Sequence, residues 1–330
     1  MPTLYVNTQG AVVRKKDNQV LVMLENEIKE IVPINKLEHV VLMGRGVQMT
    51  SQAMISLLEL GIPITLTNRT GSRHYATLTP GVSRFGDLRS RQVYLVNDEA
   101  RALELGKAMI SAKLQNQRAV LVGTTWPPVA AATAQIDAAI AGAMTAGTMD
   151  MLRGYEGAAA AAYFGVWRAN LSPTWNFAGR AFYPPPDPVN AMLSFGYTMA
   201  LNDMLAAVQI TGLDPYLGTF HVIEAGRPSL ALDLLEEFRP LLIDRLVLNL
   251  IDANAIHAGV FEQPAGRAGA VYLNREGRDL LVERYEQLMG SRMQLPGGER
   301  TTWRRAMELQ AQAVARVIRG EQERYVGLVV

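Results

Sequence analysis

The chain has 330 residues and nearly balanced charge, with 32 Lys and Arg against 31 Asp and Glu. That balance excludes the strong global positive field of a protein that coats nucleic acid, although it leaves room for a local basic patch. The absence of cysteine excludes disulfides, thiol nucleophiles and thiolate metal sites, so any metal must be held by His and carboxylates.

The opening MPTLYVNTQG lacks the basic and apolar regions of a secretory signal. Residues 1–85 then read as short β-type runs: TLYVNT, AVVRK, QVLVMLE, EIVPI, HVVLMG and PITLTN. Turn residues such as Gly10, Asp17-Asn18, Gly44 and Gly61 separate them, and RKKDN at 14–18 reads as a hairpin tip. One helix interrupts this half, TSQAMISLLELG, with Thr50 as N-cap and Gly61 as its stop. GRGVQMTS at 44–51 lacks both the phosphate-loop ending and the third glycine of a dinucleotide fingerprint. Neither HExxH nor GxSxG occurs anywhere in the chain.

From about residue 92 the pattern turns helical. A long helix is predicted over DEARALELGKAMISAKLQNQRAVL, followed by helices at 129–149, 150–169, 189–210, 229–239, 240–256, 277–290 and 300–320. The expected class is therefore α+β: a small N-terminal β-rich domain, residues 1–88, followed by a larger all-α C-terminal domain, residues 89–330. The junction is expected at 86–91. The most apolar run, 129–149, is interrupted by Gln135 and Asp137 and reads as a buried helix rather than a membrane span. No membrane association and a cytoplasmic location are expected. The segment LSPTWNFAGRAFYPPPDPVN at 171–190 reads either as a lid or as a connector whose aromatics pack down.

The chemistry gathers around SLALDLLEEFRP at 229–240. Ser229 suits an N-cap, and Pro240 cannot continue the helix smoothly. Leu230, Ala231, Leu234, Leu235 and Phe238 fill one face, while Asp233, Glu236 and Glu237 share the other. Carboxylates so close repel unless water or a cation compensates them; taken alone, a solvated acidic face beside Arg239 is the ordinary account of them. His221 shifts that balance. Gly226 and Pro228 let the chain turn back, so His221 faces the acidic side and makes an N/O site suited to Mn²⁺ or Mg²⁺. Glu156 lies in a stretch of Ala, Tyr, Phe and Trp, where an acid must find a partner; a cation and Arg153 are the alternatives.

The order EGAAAAAYF (156–164), DPVNAMLSFGYT (187–198), GLDPYLGTFH (212–221) and GRPSLALDLLEEFRP (226–240) closely resembles the CRISPR-associated spacer-acquisition integrases, the universal adaptation-module endonuclease family. The resemblance runs along nearly the whole chain. It implies a homodimer held through the β domains, and a higher complex with a small ferredoxin-like adaptation partner and double-stranded or branched DNA. It also implies Mn²⁺ or Mg²⁺ held by Glu156, His221 and Glu236, with Asp233 as a further catalytic carboxylate in a supporting or second-metal role. The last ligand is Asp in some relatives and Glu here, and adjacent Glu237 leaves two candidates for it. The implied function is a metal-dependent DNA endonuclease and integrase. It inserts short duplexes into a CRISPR array as a 3′-hydroxyl attacks a phosphodiester of repeat DNA. Candidate DNA contacts are Arg227 beside the site, Arg84, Arg89 and Arg91 at the junction, and Arg300, Arg304 and Arg305. Asn190 is a further candidate; it and Tyr197 lie in the family-like motif, where helix packing explains them equally well. The alternative is a non-catalytic DNA-binding scaffold of the same fold; a phosphohydrolase of small esters ranks third.

Overall fold

The computed structural model describes residues 3–71, 74–79, 85–127, 129–181, 183–264 and 269–330. The N-terminal half is built from β1 (Thr3–Val6), β2 (Val12–Lys16), β3 (Gln19–Leu24), β4 (Glu27–Pro33), β5 (His39–Met43), β6 (Gln48–Met49), β7 (Ile64–Thr67) and β8 (His74–Leu78). Helix α1 (Ser51–Glu59) lies among them, and the Thr50 side chain caps it by accepting Ala53 N–H. The strands form two four-stranded sheets, ordered β1-β5-β7-β8 and β4-β3-β2-β6. The RKKDN hairpin forms as expected, with Lys16 opposite Gln19. Asp17 adopts a left-handed φ of 52° at its tip, a conformation Asp tolerates better than most residues. Val13, Val20, Val22, Val40, Leu57 and Ile64 belong to the core cluster of this half. The small strands β6 and β8 were not foreseen.

Strand β5 is buried along its whole length. Central position between β1 and β7 and cover on both faces explain its continuous apolar run. Its first residue carries a polar connection into the second half. His39 Nδ1 lies 3.2 Å from Asp203 Oδ1, and His39 Nε2 lies 2.8 Å from the Thr65 hydroxyl. Asp203 also accepts from Tyr285 and Arg304, and Glu286 accepts from Tyr5 and Arg304. Burial favours the neutral form of Asp203, but Arg304 and His39 outweigh it and hold the carboxyl well below the usual carboxylate range. The two halves are thus joined by a buried polar network.

The second half contains α2 (Gly86–Asn97), α3 (Glu99–Val122), α4 (Val129–Thr145), α5 (Met149–Asn170), α6 (Pro188–Thr211), α7 (Ser229–Arg239), α8 (Arg245–Asp252), α9 (Arg275–Gly290) and α10 (Trp303–Arg319). It is not strictly all-α. Two short antiparallel ribbons interrupt it, β9 (Phe261–Glu262) with β10 (Tyr272–Leu273) and β11 (Arg292–Gln294) with β12 (Arg300–Thr302). Helix α2 runs through the stretch expected as the domain junction. Pro240 does not end α7 either. A π-helical turn, Pro240–Asp244, carries the chain directly into α8. Among the described residues, no helix is long and apolar enough to cross a membrane.

The 171–187 segment is a packed connector rather than a free lid. Phe177 is buried against Phe164 and Trp167, and Trp175 meets Phe261 edge-on. Asn190 ties the segment down. Its amide nitrogen donates to Gly179 O (2.9 Å) and Asp187 Oδ2 (2.7 Å), while its oxygen accepts from Ala181 N (2.9 Å) and Arg180 (2.8 Å). The expected DNA contact at Asn190 is therefore corrected: the side chain is fully buried and its bonding capacity is used within the fold. Arg304 is corrected likewise, since it lies buried in the network that joins the two halves. Arg84 lies outside the described residues.

Candidate metal centre

Helix α7 is buried except at Leu232 and Arg239, which line a cavity. Asp233, Glu236 and Glu237 are 0%, 2% and 0% exposed, so the solvated acidic face does not exist. Three buried acids in five residues require three sets of partners. Successive residues leave a helix 100° apart, which sends adjacent Glu236 and Glu237 to different surroundings.

Asp233 holds the loop that precedes α7. Its Oδ2 accepts Thr219 N–H (2.6 Å) and Phe220 N–H (3.0 Å), and its Oδ1 accepts His221 N–H (2.8 Å). Oδ1 also lies 2.7 Å from His221 Nδ1. The loop wraps the first turn of the helix. Pro215 O accepts the N–H of Leu230 (2.9 Å), and the Ser229 hydroxyl donates to Val222 O (2.9 Å). Ser229 is thus the first helical residue and a brace for the loop, not the expected N-cap. Gly218 is required by this close approach, because a Cβ there would sit 2.5 Å from Ser229 C and 2.7 Å from Asp233 Oδ2. Helix α2 supports the same loop from behind. Gln92 donates to Asp214 O and Leu217 O and accepts Asp214 N–H.

With Asp233 on Nδ1, the hydrogen of a neutral His221 is assigned to that nitrogen, and Nε2 is left as the acceptor. Nε2 faces Glu236 Oε1 at 3.7 Å. Arg239 reaches the same oxygen at 3.1 Å. Glu156 comes in from α5, and between it and Glu236 stands Lys113 of α3. The Lys113 ammonium is 2.5 Å from Glu156 Oε1 and 2.5 Å from Glu236 Oε2. Burial favours the neutral amine, but Glu236 and Glu156 outweigh it and raise the Lys113 pKa. For Glu236, burial is outweighed by Arg239, Lys113 and His221, which lower its carboxyl to about 2. Arg153, the alternative partner for Glu156, instead pairs with Asp150 and donates to Phe220 O.

Glu237 takes no part in this cluster. It accepts from the Tyr325 hydroxyl (2.6 Å), Leu328 N–H (2.7 Å) and Gln310 (3.1 Å), so it anchors the C-terminal segment. Burial pushes its carboxyl up to about 7. The choice left open between Glu236 and Glu237 is thereby narrowed by geometry, as only Glu236 faces His221 and Glu156's partner.

The donor set suits a hard divalent cation: two carboxylates and one imidazole nitrogen, with no sulfur. Glu236 Oε2 is a buried oxygen with no donor aligned to it for a hydrogen bond, although the ammonium touches it. Among the described residues, no three His, Asp or Glu side chains close onto a common point. The Lys113 ammonium occupies the gap through which Glu156 and Glu236 would meet. A cation is thus already present between the two acids, supplied by the chain.

The cluster opens into a cavity of about 1400 Å³ lined by Lys113, Glu156, His221, Glu236, Arg227 and Tyr197, among others. Two guanidinium groups, Arg180 and Arg239, lie 5.3 and 4.9 Å from the ring centre of Tyr197. The Tyr197 hydroxyl donates to Asp244 at 2.5 Å. Arg227 lies partly exposed at the cavity wall, 3.5 Å from Glu224.

Lys113 and the anchor at Glu237 were missed by the sequence analysis. Lys113 did leave a signal. It falls on the stripe of α3 that buries Ala102, Leu105, Met109, Asn116 and Val120, where a lysine needs an acidic partner.

A β half of two four-stranded sheets is thus joined to a helical half, whose His-and-carboxylate cluster faces a cavity lined by Arg180, Arg227 and Arg239. The family model of the CRISPR associated protein Cas1 matches residues 4–287, and the chain belongs to that family. The CRISPR-associated endonuclease Cas1 2 of Rhodospirillum rubrum is 36% identical over 340 residues, covering 98% of this chain and 96% of its own. Among solved structures, a casposase bound to integration product aligns with a TM-score of 0.83 at 20% identity, covering 99% of this chain and 93% of that one. A chain of a Cas6-RT-Cas1–Cas2 complex aligns with a TM-score of 0.81 at 23% identity, covering 99% of this chain and 36% of that one.

Proposed function

We propose that this protein is a metal-dependent DNA integrase and endonuclease, which inserts short duplexes into a CRISPR array. The observation that carries the reading is the placing of Glu156 and Glu236 on either side of a compensating ammonium, with His221 Nε2 facing Glu236, at the wall of a cavity of about 1400 Å³. Family membership and the casposase neighbour, whose structure holds an integration product, support it.

Glu156, His221 Nε2 and Glu236 would hold Mn²⁺ or Mg²⁺. Such an ion neutralises charge on the reacting phosphoryl group and orients the attacking and leaving oxygens. Asp233 keeps Nε2 pointed at the site through its bond to Nδ1. Arg227 and Arg239 place positive charge on the side where a phosphodiester would enter. The partners in this reading are double-stranded or branched DNA, a second copy of the chain joined through the β half, and a small ferredoxin-like adaptation protein. The neighbour that contains Cas2 supports the last of these.

The test is strand transfer into a supercoiled plasmid carrying a repeat. The reaction contains Mn²⁺, a short duplex with 3′-hydroxyl ends and the small partner. Product from the wild type but not from His221→Ala is expected. Product from both proteins, or DNA binding without product from either, would transfer the reading to a non-catalytic scaffold.

A further inference from the structure

The most unusual group in the cluster is its lysine. An exposed lysine beside two acids would be an ordinary surface pair of small energetic weight. Lys113 is 7% exposed, and the Glu236 side chain that it contacts is 3% exposed. A single ammonium therefore bridges two carboxylates from two different helices, α5 and α7, and it does so from a third, α3. At these distances it occupies the space that a divalent ion would need, since Mg²⁺ binds carboxylate oxygen at about 2.1 Å. Ammonium and metal exclude each other by sterics and by charge.

We infer that Lys113 is a tethered counter-ion, which holds Glu156 and Glu236 together in the metal-free protein and must withdraw before a divalent cation binds. This rests on the metal reading of the site above. The geometry provides for withdrawal. Four methylenes separate the ammonium from the backbone, and Lys113 also lines the open cavity, where substrate phosphate would offer a new anionic partner. The arrangement has two consequences. The carboxylates are held side by side without metal, so little rearrangement is needed when the ion arrives. Metal affinity is lowered, because the ion must displace a charge already bound. Lys113 is thus a positioning residue that sets the affinity of the site.

The competing account is purely structural: Lys113 satisfies two buried acids and has no bearing on metal. The two differ in a direct binding measurement. Mn²⁺ binding would be followed by calorimetry, without DNA, on wild type, Lys113→Met, Lys113→Arg and Glu156→Gln. With the ammonium gone, Arg239 alone offsets the two acids, so Lys113→Met should bind Mn²⁺ on the order of tenfold more tightly than wild type. Lys113→Arg keeps the charge and should stay near wild type. In EDTA, Lys113→Met should melt below wild type, and Mn²⁺ should raise its melting temperature by more. Should Lys113→Met not fold, Lys113→Gln carries the same measurement with a polar, neutral side chain.

Equal or weaker Mn²⁺ binding by Lys113→Met, with Glu156→Gln still lowering wild-type binding, overturns the counter-ion role and leaves the metal site standing. Wild-type binding that Glu156→Gln does not lower overturns both.

Discussion

His221 is gripped twice by Asp233: a single carboxylate oxygen lies 2.7 Å from its ring Nδ1 and accepts its own backbone N–H at 2.8 Å. Position and ring orientation are therefore set by one residue, twelve places further along the chain.

Asp233→Asn keeps the size of the side chain but loses the negative charge and half of the acceptor capacity. Ring orientation and the tautomer that frees Nε2 both suffer. Strand transfer should fall by roughly 10- to 100-fold, the usual range for the partner of a ligating histidine. The measurement is strand-transfer rate against Mn²⁺ concentration. Wild-type rates at every concentration would remove Asp233 from the chemistry.

Adjacent acids on α7 should separate cleanly. Glu236→Gln should abolish strand transfer in a protein that still folds. Glu237→Gln should retain it, while limited proteolysis cuts the segment around Tyr325 and Leu328 faster, because those two donors lose a charged acceptor. Activity lost at Glu237 and kept at Glu236 would reverse the assignment.

Asp244 provides a pH-dependent stability. Burial pushes its carboxyl up to about 6, against the opposing hydrogen bond from Tyr197. A raised carboxyl pKa means that the folded state holds the proton more tightly than the unfolded state. Its stabilising contribution is complete below the unfolded value near pH 4 and is lost as pH rises through about 6. The whole change corresponds to about 3 kcal/mol. Asp244→Asn removes it, so the stability of the variant relative to wild type should climb between pH 4 and pH 7. Urea unfolding across that range checks this, and a constant difference would contradict it.

Arg304→Met would leave Asp203 and Glu286 buried between the two halves without their cation. Removing one partner from such a cluster costs roughly 3–5 kcal/mol. Denaturant unfolding should show a loss of that size, with the site itself unaltered at first order. A loss below about 1 kcal/mol would mean that water enters and solvates the acids.

Much of this arrangement is legible in the sequence wherever the signal is local. The cap at Thr50, the Asp17-Asn18 tip and the apolar runs of β1, β3 and β5 each depend on neighbouring residues. The long helices are legible through their own periodicity. Helix α2 is not, because its sequence is mostly polar and leaves Tyr94 exposed at its surface. His221, Asp233 and Glu236 lie together, whereas Glu156 reaches Glu236 only through Lys113. What periodicity could not reveal is long-range: Lys113 reaching Glu156 across 43 residues, and Tyr325 reaching Glu237 across 88. The acidic face of α7 misled for the same reason, since the C-terminal segment that covers Glu237 lies far away in the chain.

The π turn at Pro240–Asp244 also acts as a register insert. Its hydrogen bonds span one residue more than those of an α turn, so everything after it is rotated and displaced relative to α7. Deleting one residue among Leu241, Leu242 and Ile243 would let α7 and α8 fuse into one straight rod. The rod would swing Leu246, Val247 and Leu250 about 100° away from the interior they now fill, and would carry Asp244 away from Tyr197. Chain length in this stretch is therefore as exacting as residue identity. A single-codon deletion here would be felt at the cavity wall, though every residue named in the site remained.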